Sequence, residues 1–131
     1  MKHTILGLGF IATSLACVSC QAAPITIATQ GKSTFSIVLP ANAPSSIQAA
    51  AKELQQDIAK STGATLPINK EDSATGNIIS LGQTSQAKAA GVDLKGVGEE
   101  GYRILTKNDN IYIIGTDTAD GQITKDGGTS N

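Results

Sequence analysis

The sequence predicts an α/β (α+β) domain: a mixed, largely antiparallel sheet with one long and one short helix packed on one face, preceded by an N-terminal signal peptide. Three observations carry that expectation. Apolar residues alternate or run together in pieces of strand length, in "ITIATQG", "TFSIVLP", "NIISLG", "GYRILTK" and "NIYIIG". Between the second and third of these lies one stretch with helical periodicity, "APSSIQAAAKELQQDIAKSTG". Residues suited to caps and turns fall where each piece should stop.

Taken in order, Ile25 and Ile27 alternate with Thr26 and Ala28, while Phe35, Ile37 and Leu39 share one side of the next segment, so the two read as strands joined across Gly31. In the helical stretch Ile47, Ala51, Leu54 and Ile58 recur at steps of four, three and four and draw a single apolar stripe. Pro44, Ser45 and Ser46 suit its start, and Gly63 can adopt the left-handed conformation that ends it. "LPINK" is a brief extended piece. "NIISLG" is nearly continuous in apolar residues and belongs at the centre of a sheet. "TSQAKAAGVD" fits a short helix capped by Thr84 or Ser85 and ended at Gly91. The last two strands form a hairpin across Asn108, Asp109 and Asn110. Beyond Gly115 the chain is polar and glycine-rich without periodicity, as in a loop.

The first residues have the layout of a secretory leader: Lys2 and His3 at the positive end, an apolar stretch over residues 5–18, then the small residues Ser19, Ala22 and Ala23. That stretch is shorter than the roughly 20 apolar residues of a membrane span. The predicted division is therefore a signal peptide at 1–23, a domain at 24–117, and a polar loop or truncated tail at 118–131. Cleavage would remove both cysteines, Cys17 and Cys20, together with any redox or metal role their spacing suggests. Lipidation of Cys17 or Cys20, as in bacterial lipoproteins, is the alternative, although the residues three positions upstream, Ser14 and Cys17, are not the leucine such sites prefer. The expected location is secreted or periplasmic, with a lipid anchor as the variant.

Composition excludes several functions. Ten basic residues face eleven acidic ones, and loss of Lys2 with the leader leaves a small negative charge, which is no footprint for nucleic acid. "GVGEEG" at 96–101 has the spacing of a dinucleotide fingerprint, but it precedes a strand instead of opening a helix, and Glu99 and Glu100 would repel a phosphate. The only histidine, His3, lies in the leader, so neither a nucleophilic triad nor a zinc site can be assembled after cleavage. A glycosidase needs two carboxylates at a fixed separation. No pair stands out here: Glu53 and Asp57 share a solvated helix face, and Glu71 and Asp72 sit in a polar loop. Asp117, Asp120 and Asp126 lack the spacing and closing glutamate of a calcium loop. Of the three aromatic rings after the leader, Phe35 and Tyr112 lie in strands where core packing is their use, which leaves Tyr102 and too few rings for a sugar-stacking platform. No catalytic, cofactor-binding or metal-binding residue is assigned.

Read together, "AAAKELQQDIAKSTGATLPI", "NIISLGQTSQAKAAGV" and "EEGYRILTKNDNIYIIG" resemble the N-terminal domain of bacterial alpha-glucuronidases and the related non-catalytic domain ahead of the barrel in beta-N-acetylhexosaminidase-type glycoside hydrolases. The resemblance spans residues 25–115 and rests on the order and spacing of four motifs: "A-x-E-L-Q" with "T-G-A-x-L-P-I", "I-x-L-G", "E-G-Y-x-I" and "I-x-I-x-G". It implies a helix-backed sheet, in which Tyr102 and Ile104 share a face with apolar neighbours, abutting a catalytic (β/α)8 barrel. The Ala49-Ala50-Ala51 run would let the long helix approach neighbours on more than one side. No family catalytic residue has a counterpart in this chain, which has no room for a barrel. The function this implies is a secreted, non-catalytic accessory domain of an alpha-glucuronidase-like glycoside hydrolase in polysaccharide degradation. The alternative is a free-standing periplasmic or surface module that binds glycan, with polysaccharide as its partner, or that serves as an interaction domain without a ligand.

Overall fold

The computed structural model describes residues 24–98 and 101–116. Five strands form one sheet: β1 (Phe35–Leu39), β2 (Ile68–Lys70), β3 (Asn77–Leu81), β4 (Tyr102–Lys107) and β5 (Asn110–Gly115), in the spatial order β2-β1-β3-β5-β4. Two helices accompany them, the long α1 (Ser45–Thr62) and the short α2 (Ser85–Ala89). The mixed α/β class and the one-long, one-short helix inventory are as the sequence predicts. The balance of strand directions is not. β1 runs parallel to both β2 and β3, β3 runs parallel to β5, and only the β4–β5 hairpin is antiparallel.

One cause is the fate of residues 25–28, which alternate like a strand but form none. Both edges of β1 are taken by β2 and β3, so no antiparallel neighbour has a ladder to join. The chain turns at Gln30 and Gly31, as expected, but the turn closes only an isolated bridge between Thr29 and Lys32. Ile25, Ile27 and Ala28 pack their side chains against the core instead, and Ser33 Oγ ties the segment down by donating to the Ile27 carbonyl at 2.6 Å.

Nor do the helices share a face. β1 is buried at all five positions and β3 at four of five, so each sheet face needs its own cover. Phe35, Ile37, Leu39, Ile79 and Leu81 point to one face, where Ala51 of α1 and Leu66 complete a core cluster. Val38, Ile78, Tyr112 and Ile114 point to the other, which Ala87 of α2 and Val92 close. The connection from β2 to β3 must return from the carboxyl end of β1 to its amino end, and it carries Ala74 across this second face.

Local chemistry sets the element ends. The α1 stripe is realised with Ala51 fully buried and Ile47, Leu54 and Ile58 packed against the same cluster. Ala49 and Ala50 are exposed, so the alanine run meets neighbours on one side only. Gly63 terminates α1 at φ 76°, donating its N–H to the Ala59 carbonyl at 2.9 Å. Thr84 caps α2 by accepting the Ala87 N–H at 3.1 Å, and its hydroxyl is buried against Ser80 Oγ at 2.6 Å. Asn108 and Asp109 both take positive φ, 51° and 59°, which gives the two-residue turn whose twist suits a hairpin.

Candidate functional site at the carboxyl ends of the strands

In an open sheet of mainly parallel strands, ligands gather outside the carboxyl ends where neighbouring strands send their connections to opposite faces. β1 and β3 are such a pair, because β1 leads into α1 on the first face and β3 leads into α2 on the second. The space between their ends is filled by the chain itself. Glu71, the first residue after β2, places Oε1 2.9 Å from the Ala41 N–H and Oε2 2.6 Å from the Ser85 N–H, accepting from both. Its backbone carbonyl accepts from Gln86 Nε2 at 2.6 Å.

One carboxylate thus joins the β1–α1 loop, the β2–β3 connection and the start of α2. The Ala41 N–H, and after it the Ser85 N–H, hold the Glu71 carboxyl below its ordinary range, against a smaller opposing effect of burial. By sequence Glu71 reads as a surface acid like its neighbour Asp72. No local signal distinguishes the two, because the donors lie 30 and 14 residues away.

Beside this clasp, on the β2 flank, an open groove of about 500 Å³ runs between the ends of β1 and β2 and the first turn of α1. Its polar lining is Asn42, Gln48, Asn69 and Lys70. Gln48 Nε2 is already engaged with the Ala43 carbonyl at 2.9 Å. The groove has hydrogen-bonding amides and one cation but no carboxylate and no aromatic ring, so it offers a polar ligand contacts without an acid–base pair.

Among the described residues the ion-paired acids stand singly on the surface. Asp57 pairs with Lys60 at 3.4 Å on the exposed side of α1, and Asp93 meets Arg103 at 3.2 Å on the surface. Among the described residues no group of three or more His, Cys, Asp or Glu is placed to hold a metal ion. Gly96, Gly98 and Gly101 precede β4, where no helix follows to receive a pyrophosphate. Phe35 and Tyr112 are core residues, whereas Tyr102 is 73% exposed. It does share a sheet face with Ile104, but that flank is largely open to solvent. His3, Cys17, Cys20, Glu99, Glu100, Asp117, Asp120 and Asp126 lie outside the described residues. Among the described residues no helix is long and apolar enough to cross a membrane.

The strand-end crevice is thus closed by the Glu71 side chain, beside a groove lined by amides and one lysine. The family comparison identifies the domain. The model for glycosyl hydrolase family 20, domain 2, matches residues 19–121, and the chain belongs to that family. This is a non-catalytic accessory domain of hexosaminidase-type glycoside hydrolases, and in full-length proteins such domains accompany a catalytic (β/α)8 barrel. No curated protein matches the chain.

Proposed function

We propose that this chain is the secreted, non-catalytic N-terminal accessory domain of a glycoside hydrolase that degrades polysaccharide, exported by the leader at residues 1–23. The observation that carries the proposal is the family match over residues 19–121, joined to a strand-end site whose one placed carboxylate, Glu71, is committed to backbone donors. The family match favours a parent enzyme of beta-N-acetylhexosaminidase type. An alpha-glucuronidase-like parent is the finer reading, resting on the resemblance over residues 25–115, whose motifs the two families share. The test is hydrolysis of a chromogenic N-acetyl-β-glucosaminide and of glucuronoxylan oligosaccharides by the purified chain. No release is expected from either, and turnover of one that survives repurification would overturn the proposal. Export is checked by cell fractionation with mass spectrometry of the N-terminus, which distinguishes cleavage near Ala23 from acylation at Cys17 or Cys20.

The groove beside Glu71 favours a second reading, a free-standing glycan-binding module, because Asn42, Asn69 and Lys70 present hydrogen-bonding groups toward solvent. Titration with xylan and chitin oligosaccharides decides it. Amide shifts confined to residues 40–43 and 68–70 would establish this reading, and their absence at millimolar ligand would remove it.

A further inference from the structure

The segments that meet at the carboxyl end of the sheet each have an anchor that does not depend on the Glu71 carboxylate. α2 keeps its cap, because Thr84 Oγ1 accepts the Ala87 N–H at 3.1 Å. The β2–β3 connection is held by Gln86 Nε2, which donates to the Glu71 backbone carbonyl at 2.6 Å, and the first turn of α1 by Gln48 Nε2, which donates to the Ala43 carbonyl at 2.9 Å. Between these anchors the Glu71 side chain is the tie. Its Oε1 accepts from the N–H of Ala41, an exposed residue in one wall of the groove, while its Oε2 accepts from the N–H of Ser85, exposed at the start of α2. Lys70, next to it in the chain, belongs to the opposite wall. The carboxylate therefore fastens one wall of the groove to the other, and both to α2. Each oxygen has a donor, so both bonds call for the ionised form: protonation turns one oxygen into a hydroxyl, itself a donor and a poorer acceptor.

We propose that Glu71 is a proton-operated latch: once protonated it lets the 40–43 loop part from α2 and from the end of β2, so that the groove widens while the sheet stays intact. The surroundings leave the titration to Glu71. The 40–44 loop and the first turn of α1 carry no titratable side chain; Lys88 stands on α2, and Lys70 and Asp72 flank Glu71 in its own segment. The described ion pairs, Asp57–Lys60 and Asp93–Arg103, involve none of these. Because its two N–H donors favour the carboxylate, the latch opens below the ordinary value of 4.5. The core does not share in the change, since neither cluster contains a carboxyl group. Opening is thus local, of the kind that leaves the rest of a fold closed. The latch needs no ligand, and so it stands apart from the glycan-binding reading of the same groove.

Nuclear magnetic resonance of the isotope-labelled full chain, titrated from about pH 7 to about pH 3, tests the latch. The Ala41 and Ser85 amide protons should move upfield together with one midpoint below pH 4.5, and the amides of Asn42 and Lys70, in the two groove walls, should follow. Ile79 and Ile114, one in each core cluster, should hold still. In Glu71→Gln the shared transition should vanish, whereas Asp72→Asn should keep it. Ala41 and Ser85 amides that stay fixed, that titrate with separate midpoints, that move without Asn42 and Lys70, or that still titrate in Glu71→Gln would each overturn the proposal. A transition abolished by Asp72→Asn would overturn it too. So would loss of the Ile79 and Ile114 signals at the same midpoint, because the sheet would then be unfolding as a whole. Should Glu71→Gln fail to fold, the midpoints of the parent and of Asp72→Asn decide.

Discussion

Replacing Glu71 by alanine should loosen the strand-end clasp while leaving both core clusters untouched. The carboxylate accepts two backbone N–H groups, at 2.9 and 2.6 Å, from segments far apart in sequence. Hydrogen bonds to a charged group contribute about 1.5–3 kcal/mol each when shielded, but Glu71 is only half-buried and water can replace it at both donors, so the total is discounted to roughly 1–2 kcal/mol. Glu71→Gln keeps one accepting oxygen and should lose about half of that. Urea titration followed by circular dichroism measures both.

The pH dependence provides an internal check on the same clasp. Because the folded-state pKa lies below the ordinary value of 4.5, the carboxylate's contribution is complete above the unfolded pKa and disappears as pH falls through the folded one. The stability gap between the parent and Glu71→Gln should therefore hold steady at neutral pH and close progressively below pH 4.5. An unfolding midpoint for Glu71→Ala equal to that of the parent at pH 7 would refute the clasp. So would a gap to Glu71→Gln that persists undiminished at low pH.

Two further substitutions test the second core cluster. Ser36 Oγ is buried without a hydrogen-bond partner, so Ser36→Ala should be neutral or raise stability by about 0.5–1 kcal/mol, read from the urea midpoint. Thr84→Val removes the α2 cap and orphans Ser80 Oγ, which is 0% exposed. A loss of about 2 kcal/mol is expected from the same titration.

The sequence made some elements readable because their cause is local. "FSIVL" and "NIISL" announce two-sided burial, "SIQAAAKELQQDI" announces a one-sided helix, and Gly63 and Thr84 mark boundaries through their own chemistry. Strand direction has no such local cause. Whether β1 meets β2 and β3 in parallel depends on where α1 and the 71–76 connection carry the chain, and the alternation of Ile25 and Ile27 says nothing about whether an open edge awaits them. The clasp was hidden for a related reason. Glu71 and Asp72 are adjacent acids, and only the assembled strand ends give one of them two donors. Tyr102 and Ile104 alternate correctly for a buried face, but α1 lies over β1 and β2 and does not extend far enough to cover β4.

That uneven cover makes the hairpin the part of the sheet most dependent on its turn. β5 is anchored in the second cluster by Tyr112 and Ile114, both nearly inaccessible, whereas β4 exposes Tyr102, Ile104 and Leu105. β4 is held mainly by its ladder to β5 and by the turn at Asn108 and Asp109. Asp109 sits at φ 59°, a conformation that costs a residue with a side chain more than it costs glycine. Asp109→Gly should relieve about 0.5–1 kcal/mol of that strain, and the gain should be local. Exchange of the β4 amides that donate to β5, those of Arg103, Leu105 and Lys107, should slow about three-fold, while the Ile79 amide in the central strand changes little. Equal slowing throughout the sheet would mean that β4 opens only with global unfolding, and the picture of a core-anchored β5 carrying a lightly held β4 would have to be given up.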